Sequence, residues 1–256
     1  MRLKASIVYT PASDKARRNR AGLSAGLAAL GIAEVGISSA DFIIVWGERL
    51  RRSVLRYKKP VLVMEHGYLG ERFDWCSLGW DGLNGRANFC NNDVPDDRWR
   101  KYWRDSMLEP TDGDYALIIG QVAGDMATVG CDLYSWIRKV RQELPNSIYR
   151  AHPNALRRGQ AQPVEHDTRP LDVAFRECSR VITWNSNTGV LAAMAGKRVT
   201  VEDNGAMAWE VAGHGWKDDR PLGNRDEWGR KLAYCQWLPE EIARGDYWET
   251  LKCRFS

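Results

Sequence analysis

Three short polar clusters carry residue types that can make or break bonds. Glu65-His66-Gly67 sets a carboxylate beside an imidazole, and either group can act as a general base near neutral pH. Arg150-Ala151-His152-Pro153 offers a cation and a second imidazole. Asn185-Ser186-Asn187-Thr188-Gly189 combines two hydroxyls with a predicted helix start, where backbone N–H groups suit a phosphate or carboxylate. The same five residues serve equally as an ordinary capped turn. The chemistry that fits is group transfer from a nucleotide-activated donor. Glu65 or His66 takes the acceptor proton, and the departing phosphate is held by Ser186–Gly189 with help from Arg150 or His152. His166 and His214 carry no role, and no Asp-x-Asp pair presents itself as an obvious metal site, so no metal is expected.

Each cluster follows an apolar run of strand length. Leu3–Tyr9, Asp41–Gly47 and Pro60–Met64 read as strands, separated by helices over Ser13–Leu30 and Glu48–Lys58, with a loop at Thr10-Pro11. Continuous runs such as DFIIVWG suit parallel strands covered on both faces. The stretch 67–114 is rich in Gly, Asn, Asp and Trp and reads as long loops with short strands. A second series begins at Tyr115–Gly120, with Gln121 opening a polar loop. It continues through a helix from Asp132 to Glu143, a strand at Ser147–Arg150, a flexible loop at Asn154–Arg169 and a helix at Leu171–Cys178. Val181–Glu202 then reads as strand, turn, helix and strand, and helices follow at Asp226–Trp237 and Pro239–Cys253. The predicted class is α/β, with two Rossmann-like domains, residues 1–110 and 111–256, facing across a cleft. Ligands of such domains collect at the carboxyl ends of the strands, where all three clusters fall.

Composition narrows the choice. The 256 residues are 44% hydrophobic and 27% charged, with a net charge of +4, which permits a polyanionic partner without demanding one. No apolar run is long enough to cross a bilayer and no signal peptide is evident, so a cytoplasmic, non-membrane protein is expected. The six cysteines show no CxxC spacing, so reduced structural thiols are expected rather than a zinc site or a disulfide framework. Arg98–Met107 interleaves basic and aromatic residues, as a nucleic-acid contact or a solvated amphipathic helix would.

At these residues the chain resembles the GT-B glycosyltransferases of the capsule Kdo-transferase and bacterial sialyltransferase type. VMEHGYLGER, Val63–Arg72, is similar to that family's acidic-acidic-glycine motif, with His66 where the family's second acidic residue acts as base. Arg150–Pro153 resembles its His-Pro motif, and Asn185–Gly189 its phosphate-holding turn. The GKRVTVE that follows is similar to a Gly-Lys-Pro-Val strand. The resemblance implies a nucleotide-sugar co-substrate, no further cofactor, and a donor site of Gln121, Arg150, His152, Pro153, Asn185, Ser186, Asn187, Thr188, Gly189 and Glu202. Segments 74–91 and 226–242 look like pieces of compact phage-type relatives. The acceptor reading is double-stranded DNA with hydroxymethylated pyrimidines, held by Arg17, Arg18, Arg51, Arg52, Arg98, Arg100 and Lys101, with base flipping. The alternatives are a glycan or small-molecule acceptor, and a nucleotide-binding protein without catalysis.

Overall fold

The runs Phe42–Val45 and Val61–Met64 are buried along their whole length, as strands sandwiched between layers must be. The computed structural model describes residues 2–9 and 13–255, so the expected Thr10-Pro11 loop lies outside the described residues. The chain begins with β1 (Lys4–Val8), α1 (Asp14–Ala29), β2 (Ala33–Glu34), β3 (Phe42–Trp46) and α2 (Gly47–Val54). β4 (Val61–His66), β5 (Cys76–Trp80) and α3 (Asp97–Tyr102) follow. The middle holds β6 (Tyr115–Ile119), α4 (Leu133–Glu143), β7 (Ser147–Arg150), α5 (Pro153–Arg157) and α6 (Leu171–Glu177). It continues with β8 (Cys178–Thr183), α7 (Thr188–Met194), β9 (Arg198–Val201) and β10 (Gly213–His214). The end supplies α8 (Arg225–Ala233), β11 (Gln236–Trp237), α9 (Pro239–Arg244) and α10 (Trp248–Leu251).

The chain forms two compact units. The first runs to Lys101 and takes back the residues from Gly229 on; the second is continuous, Tyr102–Trp228. The expected division at 110/111 therefore shifts, and the C-terminal helices belong with the first unit. The predicted helix Asp226–Trp237 stops at Ala233, and its last two residues form β11, which pairs antiparallel with β5.

The first unit's sheet has the order β11-β5-β4-β3-β1-β2. β1 to β4 are parallel, and β5 is antiparallel to β4. Strand alternation sorts the side chains onto two faces. Phe42, Ile44, Leu62 and Met64 pack on one face with Leu23 and Leu27 of α1 and Ile242 of α9. Ile43, Val45, Val61 and Val63 pack on the other with Val54 of α2. Ser13 starts α1 by accepting the Ala16 N–H at 3.2 Å. A Cβ on Gly26 would lie 2.1 Å from the Ile242 carbonyl oxygen, so glycine is what lets α1 and α9 approach.

Long-range ties hold the C-terminal segment, among them one at Arg98 and one at Cys90. Arg98, expected on a nucleic-acid-facing helix, is instead buried: its guanidinium meets both Glu241 oxygens at 2.7 and 3.0 Å and donates to the Ala233 and Gln236 carbonyls. It also lies 4.1 Å over the Trp237 ring. Cys90 and Cys253 form a disulfide across a separation of 163 residues, with Cα atoms 6.3 Å apart. That pairing corrects the expectation of reduced thiols throughout; Cys76, Cys131, Cys178 and Cys235 remain thiols.

The second unit's sheet is wholly parallel, in the order β10-β9-β8-β6-β7. The segment expected as a loop from Asn154 begins inside α5 and then runs beside β7, where Asp167 N–H donates to the Tyr149 carbonyl. Among the described residues, no helix is long and apolar enough to cross a membrane.

Candidate functional site

In the first unit β4, β3 and β1 are sheet neighbours, so the residues at their carboxyl ends are brought together. Trp46 ends β3, His66 ends β4, and Tyr9 follows β1. Tyr9 stacks on Trp46 at 5.5 Å, and the edge of Trp46 meets His66 at 5.1 Å. With Ser13, Lys15, Ala16 and Asn19 of the α1 start and Leu50 of α2, these rings line a cavity of about 370 Å³.

Glu65 and His66, alternatives in the sequence, are separated by strand alternation. His66 continues the face of Leu62 and Met64 and lines the cavity. Glu65 continues the face of Val61 and Val63; one carboxylate oxygen lies 3.3 Å from the Cβ position of Gly47, and the other accepts the His66 N–H at 2.9 Å. Burial, reinforced by the nearby Arg72 and Lys15 charges, lowers the His66 pKa from 6.5 to about 4. Its Nδ1 is buried with no hydrogen-bond partner among the described residues, so none of them fixes the tautomer through that atom. A neutral imidazole of this strength resembles a carboxylate as a base.

The loop after His66 is drawn tight over it. Gly67 N–H donates to the Arg72 and Trp75 carbonyls, and a Cβ on Gly67 would sit 2.5 Å from that of Trp75. The buried Gln236 side chain of β11 accepts the N–H groups of Tyr68 and Leu69 at 2.6 and 2.9 Å. This sets Phe73 edge-on to His66 at 4.9 Å, with Lys15 5.8 Å over the Phe73 ring.

In the second unit the expected donor residues line the carboxyl edge of adjacent strands β7, β6, β8 and β9. Most have internal tasks there. Gln121 and Asn185 bind each other twice, at 2.8 and 3.0 Å, and Asn185 also donates to the Ala127 carbonyl. Ser186 Oγ donates to Thr188 Oγ1 and accepts the Thr188 N–H. The Gly189 and Val190 N–H groups return to the Ser186 and Asn187 carbonyls, so the turn uses donors that the sequence suggested were free. Gly189 is buried against Thr183, Val199 and Ala208. His152 caps α5, its Nδ1 accepting the Asn154 N–H at 3.0 Å, with Pro153 as the first helical residue. Arg150 donates to the Arg169 carbonyl, and Glu202 accepts the Trp216 N–H at 3.1 Å. A separate groove of about 710 Å³ lies against β7 and includes His166, which drew no role from the sequence.

The cations expected to hold DNA are largely engaged within the first unit. Arg51 and Arg52 fold onto the buried Glu48, Arg17 pairs with Asp14, and Arg100 pairs with Asp96. Arg98 is withdrawn from that role by its burial with Glu241. Arg18 and Lys101 are exposed. The sequence reading missed Tyr9, Lys15, Asn19 and Trp46. A signal existed, since Lys15 and Asn19 are four apart on one helix and Trp46 ends the strand beside His66.

No protein-family model matches the chain. No curated protein matches it either. Solved structures do share its fold. The β-Kdo 2,7-transferase of Thermosulfurimonas dismutans KpsC superposes with a TM-score of 0.62 at 13% identity, covering 100% of both chains. The β-Kdo 2,4-transferase of KpsC from the same organism gives 0.58 at 16% identity, covering 91% of this chain and 90% of that one. At these identities the likeness is one of fold: two Rossmann-like α/β units of the GT-B kind.

Proposed function

We propose that this chain is a glycosyltransferase that moves a sugar from a nucleotide-sugar donor to an acceptor hydroxyl, with His66 as the general base. The observation that carries this reading is the cavity itself. It lies at the carboxyl ends of three adjacent strands, is walled by rings, and contains a half-buried imidazole whose pKa burial lowers. In the reaction the acceptor hydroxyl gives its proton to the imidazole as its oxygen bonds to the anomeric carbon. The bond from that carbon to the donor phosphate breaks, and the nucleotide leaves with the electron pair. The carboxyl edge of the second unit, with Arg150, His152, Ser186 and Thr188, is the donor side in this reading. The GT-B-like fold supports it, since both KpsC structures are of Kdo transferases.

For the acceptor, the finer reading is a 5-hydroxymethylated pyrimidine in DNA. A ring-walled cavity with room for a base supports it, because flipped bases stack between aromatic side chains. The engaged arginines favour the alternative of a glycan or small-molecule hydroxyl. Incubating the protein with a panel of nucleotide sugars and either hydroxymethylated DNA or oligosaccharides, then looking for a hexose-sized mass gain, decides between them. A gain abolished by His66→Ala is the expected result; a gain unaffected by that substitution refutes the assignment of the base.

A further inference from the structure

The first unit's cavity has a charged side that its proposed base does not require. Lys15 lines it, in the first turn of the 16-residue helix α1, and has no carboxylate partner among the described residues. On the same helix Arg17 and Arg20 each have one. The helix adds its positive end at the same place. One turn deeper, Asn19 lines the cavity while only 4% exposed, and its amide makes no hydrogen bond among the described residues. What the amide exposes it exposes at the cavity, where a ligand or water can meet it. The opposite wall is Trp46, stacked on Tyr9, a flat surface for a ring.

We infer that this cavity selects an acceptor whose ring carries an anionic group, with Lys15 contacting the anion and Asn19 contacting a polar edge of the ring. The inference rests on reading the cavity as the acceptor site. A ring stacked on Trp46 spans from His66 to the α1 start, so a phosphate or carboxylate substituent reaches Lys15 and the Asn19 amide meets a ring oxygen or nitrogen. A nucleoside phosphate and a sugar acid share this chemistry, and the test separates them.

The experiment is calorimetric titration of the full chain, without donor, against two matched pairs: 5-hydroxymethyl-dCMP with its nucleoside, and galacturonate with galactose. At low salt the anionic member of one pair is expected to bind about tenfold more tightly than its neutral partner, and which pair responds identifies the source. Lys15→Met is expected to abolish that preference while leaving affinity for the neutral partner unchanged. Asn19→Leu is expected to weaken both members of the pair by a similar factor of about ten, with unfolding curves checked for each variant. Equal binding of both members in both pairs, binding of none of the four, or a preference that survives Lys15→Met overturns the inference. The two proposals fail separately. Transfer activity that needs His66 but ignores Lys15 removes this inference and keeps the function, whereas an anion preference without transfer does the reverse.

Discussion

Replacing Arg98 tests the view that a basic residue chosen from the sequence as a surface contact is a structural pin. Arg98→Met leaves the 6%-exposed Glu241 carboxylate with the Leu238 N–H but no cation, and leaves the Ala233 and Gln236 carbonyls without their donor. Breaking a buried, hydrogen-bonded ion pair costs about 3–5 kcal/mol. With a urea slope of about 2 kcal/mol per M, that moves the unfolding midpoint down by about 2 M. Far-UV circular dichroism through a urea titration measures it. The double variant Arg98→Met/Glu241→Leu removes the stranded charge and is expected to recover more than half of the loss, though not all, because Glu241 also closes the capping box of α9. A single-variant shift below about 0.5 M, or a double variant no better than the single, refutes the reasoning.

In any transfer assay His66→Ala lowers kcat by about 10²–10⁴, whereas Glu65→Gln, on the opposite face, lowers it less than tenfold; the reverse order would make Glu65 the base. The lowered His66 pKa also has a stability consequence. Because the unfolded chain takes up that proton near pH 6.5 and the folded one only near 4, stability falls as pH drops through that window and is unaffected above it. Thermal unfolding from pH 7 to 4 should show this loss, and His66→Phe should reduce it. Gly26→Ala forces α1 from α9 and should cost about 1–3 kcal/mol, read as a lowered melting temperature. Reducing the Cys90–Cys253 bond, or Cys90→Ser, should destabilise by up to about 5 kcal/mol, the loop-entropy ceiling for a separation of 163 residues; an unchanged urea midpoint under reductant would contradict this.

What the sequence revealed was local. Continuous runs such as Phe42–Trp46 and Tyr115–Ile119 carried the two α/β series, and Glu65-His66 could be placed at a strand end. Strand alternation, which extends from Met64 to His66, already bore on which of the pair faces α1, but only once the α1 face was known. What stayed hidden depends on partners far along the chain. Glu241 lies 143 residues from Arg98, Cys253 lies 163 from Cys90, and β5 is a strand because β4 and β11 flank it, not because CSLGW has a strand's composition. The turn at Asn185–Gly189 was located correctly, yet composition could not show that its hydroxyls and N–H groups would be spent on one another.

The return of the C-terminal segment to the first unit bears on how a ribosome delivers this protein. Gln236, which holds the loop over His66, and Glu241, which neutralises Arg98, are made after the whole of the second unit. The second unit, continuous from Tyr102 to Trp228, is complete before they emerge. Co-translational folding in the order opposite to the usual N-terminal-first one is therefore the expected outcome. The second unit can settle first, while the first waits for the segment from Gly229 on. A nascent chain arrested before Gln236 should carry a protease-resistant second unit and a still-sensitive first one.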